Sequence, residues 1–226
     1  MYKALLFDLD DTILDFNASA DFALRKLFIS EGIKTNQDNL QLYKKINNNY
    51  WKKMEKGEIK RDELLIKRFI DFYKAIGKII TYQEGERINE EFFSYLGKKA
   101  VCIPGAYELL GDLENDYKLF LISNGVKRIQ YERLALIPAL QDKFDKIFVS
   151  EEIGAQKPSQ TYGDYILKHI PFKKKDMLII GDSLTSDIKL GTVIGVDTCW
   201  YNPLKLAGDN NYTYEIQNIS DLKKFI

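Results

Sequence analysis

The sequence predicts an α/β fold, a doubly wound parallel sheet with an α-helical domain inserted after its first strand. Four short apolar runs lack polar alternation, as do parallel strands that helices cover on both faces. These runs span residues 4–7, 119–122, 147–149 and 177–180. Segments with helical spacing separate them, and strands that alternate with helices favour a doubly wound sheet. The length of 226 residues suits one domain with a large insertion, or two small domains.

The helical insertion is predicted between the first and second strands. Residues 15–97 contain no convincing strand, and the positions Leu64, Leu65, Arg68, Phe69 and Phe72 mark one face of a helix. We therefore predict a core domain of residues 1–14 and 98–226 and a helical domain of residues 15–97. Further helices are predicted near residues 105–115, 126–136, 159–169 and 185–194.

Composition and charge exclude several classes of protein. The 33 basic residues balance the 33 acidic ones, and a net charge of zero argues against a nucleic-acid binder. No apolar stretch approaches the roughly 20 residues that a membrane-spanning helix needs. Cys102 and Cys199 form no CxxC pair and His169 is the single histidine, which excludes a Cys/His zinc site and fits a reducing cytoplasm. Any bound metal must therefore be held by oxygen ligands.

Polar clusters follow the four predicted strands, at the edge where an open α/β sheet binds ligands. Asp8 and Asp10 follow the first strand. One of these carboxylates can act as a nucleophile and the other as an acid/base, provided that a cation offsets their repulsion. Ser123 and Asn124 follow the second strand and precede a helix, where exposed backbone N–H groups suit an anion.

The third and fourth clusters supply a cation and further carboxylates. Lys157, before Pro158, could neutralise a phosphate. Asp182 follows the fourth strand and Asp187 enters the next helix, and such hard oxygen ligands suit Mg²⁺. Each cluster taken singly can be explained as a turn or a helix cap. Four clusters in a fixed order at strand ends favour one common site.

The motifs DLDDT, SNG, KP and GDSLTSD resemble motifs one to four of the haloacid dehalogenase (HAD) superfamily, over essentially the whole chain. The helical insertion resembles the cap domain of that superfamily. NNNYWKKMEKGEI, SEEIGAQKP and DTCWYNP are similar to segments of the bacterial pyrimidine 5′-nucleotidase subfamily, which dephosphorylates canonical and non-canonical nucleoside monophosphates. The resemblance implies a cytoplasmic, Mg²⁺-dependent phosphatase that acts on nucleoside 5′-monophosphates, pyrimidines preferred, through an aspartyl-phosphate.

The resemblance implies roles for the residues of the first motif. Asp8 corresponds to the nucleophile and a metal ligand. Asp10 corresponds to the acid/base and contributes its backbone carbonyl to the metal. The position after it is most often glycine in the superfamily and is Asp11 here, whose side chain we expect to point away from the phosphate.

The other motifs receive roles in the same way. Ser123, Asn124 and Lys157 correspond to residues that bind the phosphoryl group, and Lys157 also steadies the nucleophile. Asp182 corresponds to a Mg²⁺ ligand that Asp187 supports. An acid at the position of Asp10 favours a phosphatase or phosphomutase, because an alkoxide leaving group needs a proton whereas dehalogenation does not.

Four residues in or beside the cap are predicted to contact the leaving group. Tyr50 and Trp51 precede a break between two cap helices and could stack on a nucleobase, although both also suit an ordinary cap core. Phe16 and Asn17 stand at the expected joint between the domains and are expected to border the substrate. His169 lies outside every cluster, and we expect no catalytic role for it.

Two other functions stay open from the sequence. A sugar phosphatase or a β-phosphoglucomutase-like mutase shares the two aspartates of the first motif. A catalytically silent phosphate-binding module would not need Asp8, Asp10, Lys157 and Asp182 together. We expect a monomer or homodimer that binds a small phosphate ester and neither a nucleic acid polymer nor a membrane.

Overall fold

The chain folds as two units in the computed structural model, which describes residues 1–208 and 211–226. One unit contains Met1–Phe16 and Ala100–Ile226, and the other contains Asn17–Lys99. The divisions after residues 16 and 99 lie two positions beyond the domain boundaries proposed from the sequence, after residues 14 and 97.

A six-stranded parallel sheet forms the centre of the first unit. Its strands are β1 (Ala4–Asp8), β2 (Lys118–Ser123), β3 (Lys146–Val149), β4 (Met177–Gly181), β5 (Asp197–Tyr201) and β6 (Tyr214–Ile216). The spatial order is β3-β2-β1-β4-β5-β6, and every neighbouring pair is parallel. The direction of winding reverses at β1, since β2 and β3 lie on one side of it and the later strands on the other. Such a reversal opens a crevice at the carboxyl ends of the strands.

Apolar side chains cover the sheet on both faces. All five residues of β1 are buried. Leu5 and Phe7 pack into one apolar cluster, whereas Ala4 and Leu6 pack into another, because successive side chains of a strand point to opposite faces. This burial confirms the predicted doubly wound sheet.

Nine α-helices are present in the described residues. They are α1 (Phe16–Ser30), α2 (Gln37–Glu55), α3 (Arg61–Ala75), α4 (Tyr82–Leu96), α5 (Ala106–Leu113), α6 (Lys127–Ala135), α7 (Ser150–Ile153), α8 (Gln160–His169) and α9 (Lys189–Ile194). A π-helical turn, Leu184–Ile188, leads into α9, and 3₁₀ turns span Gln141–Lys143, Lys174–Asp176 and Ile219–Lys224. Among these described helices, none is long and apolar enough to cross a membrane.

The four strands and the helices predicted from the sequence are confirmed, and two strands were missed. β5 begins with Asp197 and Thr198, so its sequence lacks the uniform apolar run of the first four strands. β6 has three residues at the edge of the sheet, and two of them are only partly buried. Short edge strands with mixed polarity give little signal in a sequence.

The second unit has a core of its own between α1, α2, α3 and α4. The rings of Phe28 and Phe72 stack with centroids 5.2 Å apart. The side chain of Arg68 is buried on the same face of α3, and it donates to Asn47 Oδ1 and to Asn89 Oδ1, each at 2.8 Å. Burial lowers the pKa of Arg68. The two amide oxygens, with the carbonyl oxygen of Leu65 that accepts from Nε at 3.2 Å, give each nitrogen of the guanidinium a hydrogen-bond partner. The predicted helical face is confirmed, including the arginine within it.

Candidate active site

The carboxyl ends of β1, β2 and β4 bring three of the motifs together. Asp8 is the last residue of β1 and lies opposite Ile122 of β2. Ser123 is the last residue of β2, and Asp182 directly follows the last residue of β4. Because β1 pairs with both neighbours in parallel, residues from distant parts of the chain lie at one edge of the sheet.

Lys157 lies at the centre of a buried ion cluster. Its Nζ donates to Asp8 Oδ1 at 2.6 Å, to Asp187 Oδ1 at 2.7 Å and to the carbonyl oxygen of Ile122 at 3.0 Å. An ammonium has three hydrogens, so these bonds use all of them. Burial alone lowers the pKa of Lys157, but the carboxylates of Asp187 and Asp8 outweigh it and raise the pKa above its ordinary value. The charged lysine thus fixes the Asp8 carboxylate in place.

Three carboxylates of this edge could hold a metal ion. Asp8, Asp182 and Asp187 each offer an oxygen, and these oxygens lie within 4.8 Å of one another. Burial raises the pKa of Asp182 well above its ordinary range, and the charges of Asp8 and Asp187 add to the effect. Burial likewise raises the pKa of Asp8, although Lys157 opposes the rise. An oxygen-only donor set with more negative than positive charge fits Mg²⁺.

Asp187 is positioned by the π-helical turn that follows β4. Its Oδ2 accepts the backbone N–H of Ser183 at 3.2 Å, and Ser183 in turn accepts the N–H of Ser186 and caps the turn. A Cβ at Gly181 would lie 2.3 Å from Asp187 Oδ2, so the glycine permits this approach. Asp187 Oδ1 accepts from Lys157, so Asp187 orients the lysine. Its negative charge also lies beside Asp8 and Asp182, the other two candidate metal ligands.

Trp200 holds the backbone of Asp182. Its indole Nε1 donates to the carbonyl oxygen of Asp182 at 2.8 Å. Trp200 lies in β5, next to β4 in the sheet, and belongs to the DTCWYNP segment. Sequence reasoning assigned this segment to a subfamily without giving Trp200 a role. Its physical role is to fix the residue that follows β4.

Ser123 and Asn124 make different contacts. The side-chain amide of Asn124 donates to the carbonyl oxygen of Lys157 at 2.9 Å and accepts the Lys157 N–H at 2.8 Å. Asn124 therefore orders the loop that carries the lysine. Ser123 is buried, and its Oγ accepts the N–H of Gly125 at 3.0 Å and the side-chain N–H of Gln130 at 2.8 Å.

Asp10 contacts two residues of α6 that sequence reasoning missed. Its carboxylate accepts from Gln130 Nε2 at 2.6 Å and from Arg133 Nη1. The backbone after β1 forms a tight turn, in which the N–H groups of Ile13 and Leu14 both donate to the carbonyl oxygen of Leu9. The turn presents the Asp10 side chain to α6.

Asp11 occupies a backbone conformation that usually favours glycine. Its φ is +60°, and aspartate is one of the few other residues that tolerate this region. Its Oδ1 accepts the N–H of Phe16 at 3.0 Å, the first residue of α1. The side chain is thus turned toward the start of α1, where Phe16 also lies 5.6 Å from the guanidinium of Arg133.

The remaining predicted residues of the cap belong to the second unit. Tyr50 is buried and its hydroxyl donates to Asp71 Oδ2 at 2.7 Å, from α2 to α3. Trp51 is partly exposed and Asn17 is exposed.

His169 is partly exposed at the end of α8, where its Nδ1 lies 2.7 Å from the carbonyl oxygen of Tyr165.

The parallel sheet and the carboxylates at the carboxyl ends of its strands, Asp8, Asp182 and Asp187, define a class of enzyme. The comparison with known families agrees. The family model of haloacid dehalogenase-like hydrolases matches residues 5–201. The chain belongs to this family and is a hydrolase of the HAD superfamily, as its motifs indicated.

Individual relatives cover almost the whole chain. The HAD-hydrolase YfnB of Bacillus subtilis is 40% identical over 98% of this chain and 94% of its own. Its magnesium-bound crystal structure, which reveals interdomain movement, has a TM-score of 0.92 at 39% identity over 99% of this chain and 97% of that one. The pyrimidine 5′-nucleotidase PynA of Streptococcus pneumoniae is 38% identical over 98% and 93% of the two chains. The pyrimidine 5′-nucleotidase YjjG of Escherichia coli is 29% identical over 88% and 85%.

Proposed function

We propose that the protein is a Mg²⁺-dependent phosphatase of nucleoside 5′-monophosphates, with pyrimidines preferred. The observation that carries this proposal is the Asp8 carboxylate, which Lys157 holds at 2.6 Å beside Asp182 at the carboxyl edge of the sheet. The relatives PynA and YjjG, both pyrimidine 5′-nucleotidases, support the substrate class. The free thiols of Cys102 and Cys199 suit the cytoplasm, where we propose that the reaction takes place.

Asp8 is the proposed nucleophile. Lys157 engages its Oδ1, which leaves Oδ2 to attack the phosphorus atom and form an aspartyl-phosphate. As the ester bond breaks, its electron pair stays on the leaving oxygen, which takes a proton from Asp10. Asp10 then accepts a proton from the water that attacks the aspartyl-phosphate, and so serves as acid and base in turn.

Ser123 is suited to hold a phosphoryl oxygen. A hydroxyl has one donor and two acceptor sites. The oxygen of Ser123 already accepts from Gly125 and from Gln130. Its two acceptor sites are therefore filled, and its hydrogen can donate to a phosphoryl oxygen. Lys157 can bind the phosphoryl group only by giving up one of its three present bonds, and we assign it mainly to Asp8.

Asp8 and Asp182 would hold the metal, with the backbone carbonyl of Asp10. Bound there, Mg²⁺ would supply positive charge that lets an anionic phosphate approach an anionic carboxylate. Asp187 keeps the lysine charged and in place. The carboxylates thus divide between metal binding and the orientation of Lys157.

Phosphate release from a panel of esters tests the proposed function. We expect release from uridine and cytidine 5′-monophosphates to exceed release from purine nucleotides and sugar phosphates, and to stop when a chelator removes Mg²⁺. Faster hydrolysis of sugar phosphates would support the sugar phosphatase alternative. Phosphate that moves between positions of a sugar without release would support the mutase.

Asp182→Ala is expected to raise the Mg²⁺ concentration that half-maximal activity needs. The variant removes a carboxylate from the proposed donor set. Loss of a residue that only supports a metal ligand weakens binding by about tenfold to a hundredfold, so loss of a direct ligand should weaken it at least as much. Titration of activity with Mg²⁺ measures this change. Asp197→Ala, which removes a carboxylate from the start of β5, is the control. An Asp182→Ala titration that superimposes on the wild-type curve would mean that Asp182 is not a ligand.

Trp51→Ala is expected to weaken nucleotide turnover and to spare p-nitrophenyl phosphate. The hydroxyl of Tyr50, in α2, donates a hydrogen bond to Asp71 in α3. Trp51 is partly exposed, so its ring has surface available for a base. Loss of stacking contributes about 1–3 kcal/mol, or roughly tenfold to a hundredfold in kcat/KM. The matched variant Tyr50→Phe should lower the melting temperature without changing the ratio of the two substrates. Equal losses on both esters for Trp51→Ala would show that Trp51 only supports the cap.

A further inference from the structure

Two side chains of α6 hold both oxygens of the Asp10 carboxylate. Arg133 Nη1 donates to Oδ1, and Gln130 Nε2 donates to Oδ2 at 2.6 Å. Arg133 Nη1 also donates to Gln130 Oε1 at 3.1 Å. The three side chains therefore form a closed ring of hydrogen bonds, in which the carboxylate cannot turn without breaking a bond.

Gln130 also connects Asp10 to the proposed phosphate contact. The second hydrogen of its Nε2 goes to Ser123 Oγ at 2.8 Å, so both hydrogens of its amide group are used. A Cβ at position 125 would lie 2.1 Å from Gln130 Nε2. Gly125, the glycine of the second motif, therefore gives Gln130 the space to bridge Asp10 and Ser123.

A contribution to the stability of the fold does not explain why Arg133 is buried. Its side chain is 0% exposed, and its Nε and Nη2 have no hydrogen-bond partner within the described residues. Burying a cation with unsatisfied donors is unfavourable, and well-packed apolar replacements of buried ion pairs are often neutral or stabilising. The carboxylate that it pairs with, Asp10, is 30% exposed and would keep contact with water if the arginine were absent.

We propose that Gln130 and Arg133 are positioning residues for proton transfer by Asp10. The proposal rests on the proposed function, in which Asp10 gives a proton to the leaving oxygen and later takes one from water. The ring holds the carboxylate in one place through both steps. Because Gln130 donates to both Asp10 and Ser123, it also fixes the carboxylate relative to Ser123. Neither side chain is required to touch the substrate.

The sharpest variant is Gln130→Met, which keeps the length of the side chain and removes both donors. Poor leaving groups need the proton from Asp10, whereas 2,4-dinitrophenolate leaves without one. We expect kcat/KM to fall about tenfold to a hundredfold for uridine 5′-monophosphate and phenyl phosphate. For 2,4-dinitrophenyl phosphate we expect a change of less than about threefold in kcat/KM, which reports the first phosphoryl transfer. Its leaving group needs no proton, and Ser123 keeps both its own hydrogen for the phosphoryl group and its bond from the Gly125 N–H.

Two further variants separate positioning from a structural role. Arg133→Lys retains the charge and one donor nitrogen, so it should recover part of the activity that Arg133→Met loses. Arg128→Met removes an arginine that is 50% exposed on the same helix, and it should leave the ratio of the esters unchanged. Thermal unfolding of each variant shows whether the fold is retained.

The outcomes distinguish this inference from the proposed function. A wild-type protein that releases no phosphate from any of the three esters would overturn the proposed function and the positioning role with it. Normal wild-type activity with equal losses on all three esters in Gln130→Met would overturn the positioning role alone. A loss confined to the two poor leaving groups, with partial recovery in Arg133→Lys, would establish it.

Discussion

Asp8→Asn is expected to abolish turnover while the protein stays folded. An amide cannot attack phosphorus, and loss of a nucleophile lowers kcat by about four orders of magnitude or more. The exchange hardly changes the volume, and the Lys157 ammonium still pairs with the buried carboxylate of Asp187, so the melting temperature should not fall. Steady-state phosphate release and thermal unfolding measure the two effects.

Asp11→Asn is the matched control for this experiment. Asparagine tolerates the positive φ of this position as aspartate does, and its side-chain oxygen can still accept the N–H of Phe16. Turnover within a few-fold of the wild type is expected. A folded Asp8→Asn protein that is as active as Asp11→Asn would exclude Asp8 as the nucleophile.

Lys157→Met is expected to remove both activity and a large part of the stability. The carboxylate of Asp187 is 1% exposed and that of Asp8 is 10% exposed, and without the ammonium they stand together with no cation. Breaking a buried ion pair by removing one partner costs about 3–5 kcal/mol. Urea unfolding in the presence of a chelator measures the loss, so that added metal does not replace the missing charge.

A second substitution separates the two effects of Lys157. Lys157→Met combined with Asp187→Asn removes the more deeply buried of the two anions as well as their shared cation, so most of the stability should return while the activity does not. Lys118→Met breaks an ion pair whose lysine is 58% exposed, and it should cost at most about 1 kcal/mol. If Lys157→Met lowered the free energy of unfolding no more than Lys118→Met does, the buried cluster would contribute no more to stability than an exposed ion pair.

The sheet and most of the acidic edge were predictable because their signals are local. The first four strands are uninterrupted apolar runs, and Asp8, Ser123 and Asp182 directly follow or end such runs. The parallel register then places them together with no further information. Lys157 carries little signal among 33 basic residues, and only its motif context pointed to it.

Gln130 and Arg133 were missed because their role depends on packing and not on a motif. They stand three residues apart in α6, and both lie with Ile129 and Leu134 on its buried face. Polar residues on the apolar face of the helix that follows the second motif are the signal that could have identified them. The contact with Asp10 lies 120 positions or more away along the chain, so the pairing itself could not be read from the sequence.

Chemical trapping of the aspartyl-phosphate tests the central claim, covalent catalysis by Asp8, most directly. The protein is mixed with uridine 5′-monophosphate and Mg²⁺, quenched during turnover and reduced with borohydride, which converts an aspartyl-phosphate to homoserine. Mass spectrometry of the peptide that contains residue 8 should find homoserine at that position, and only when substrate and Mg²⁺ are both present. An unmodified Asp8 peptide, or homoserine at a different aspartate, in a sample that has released phosphate would contradict the claim.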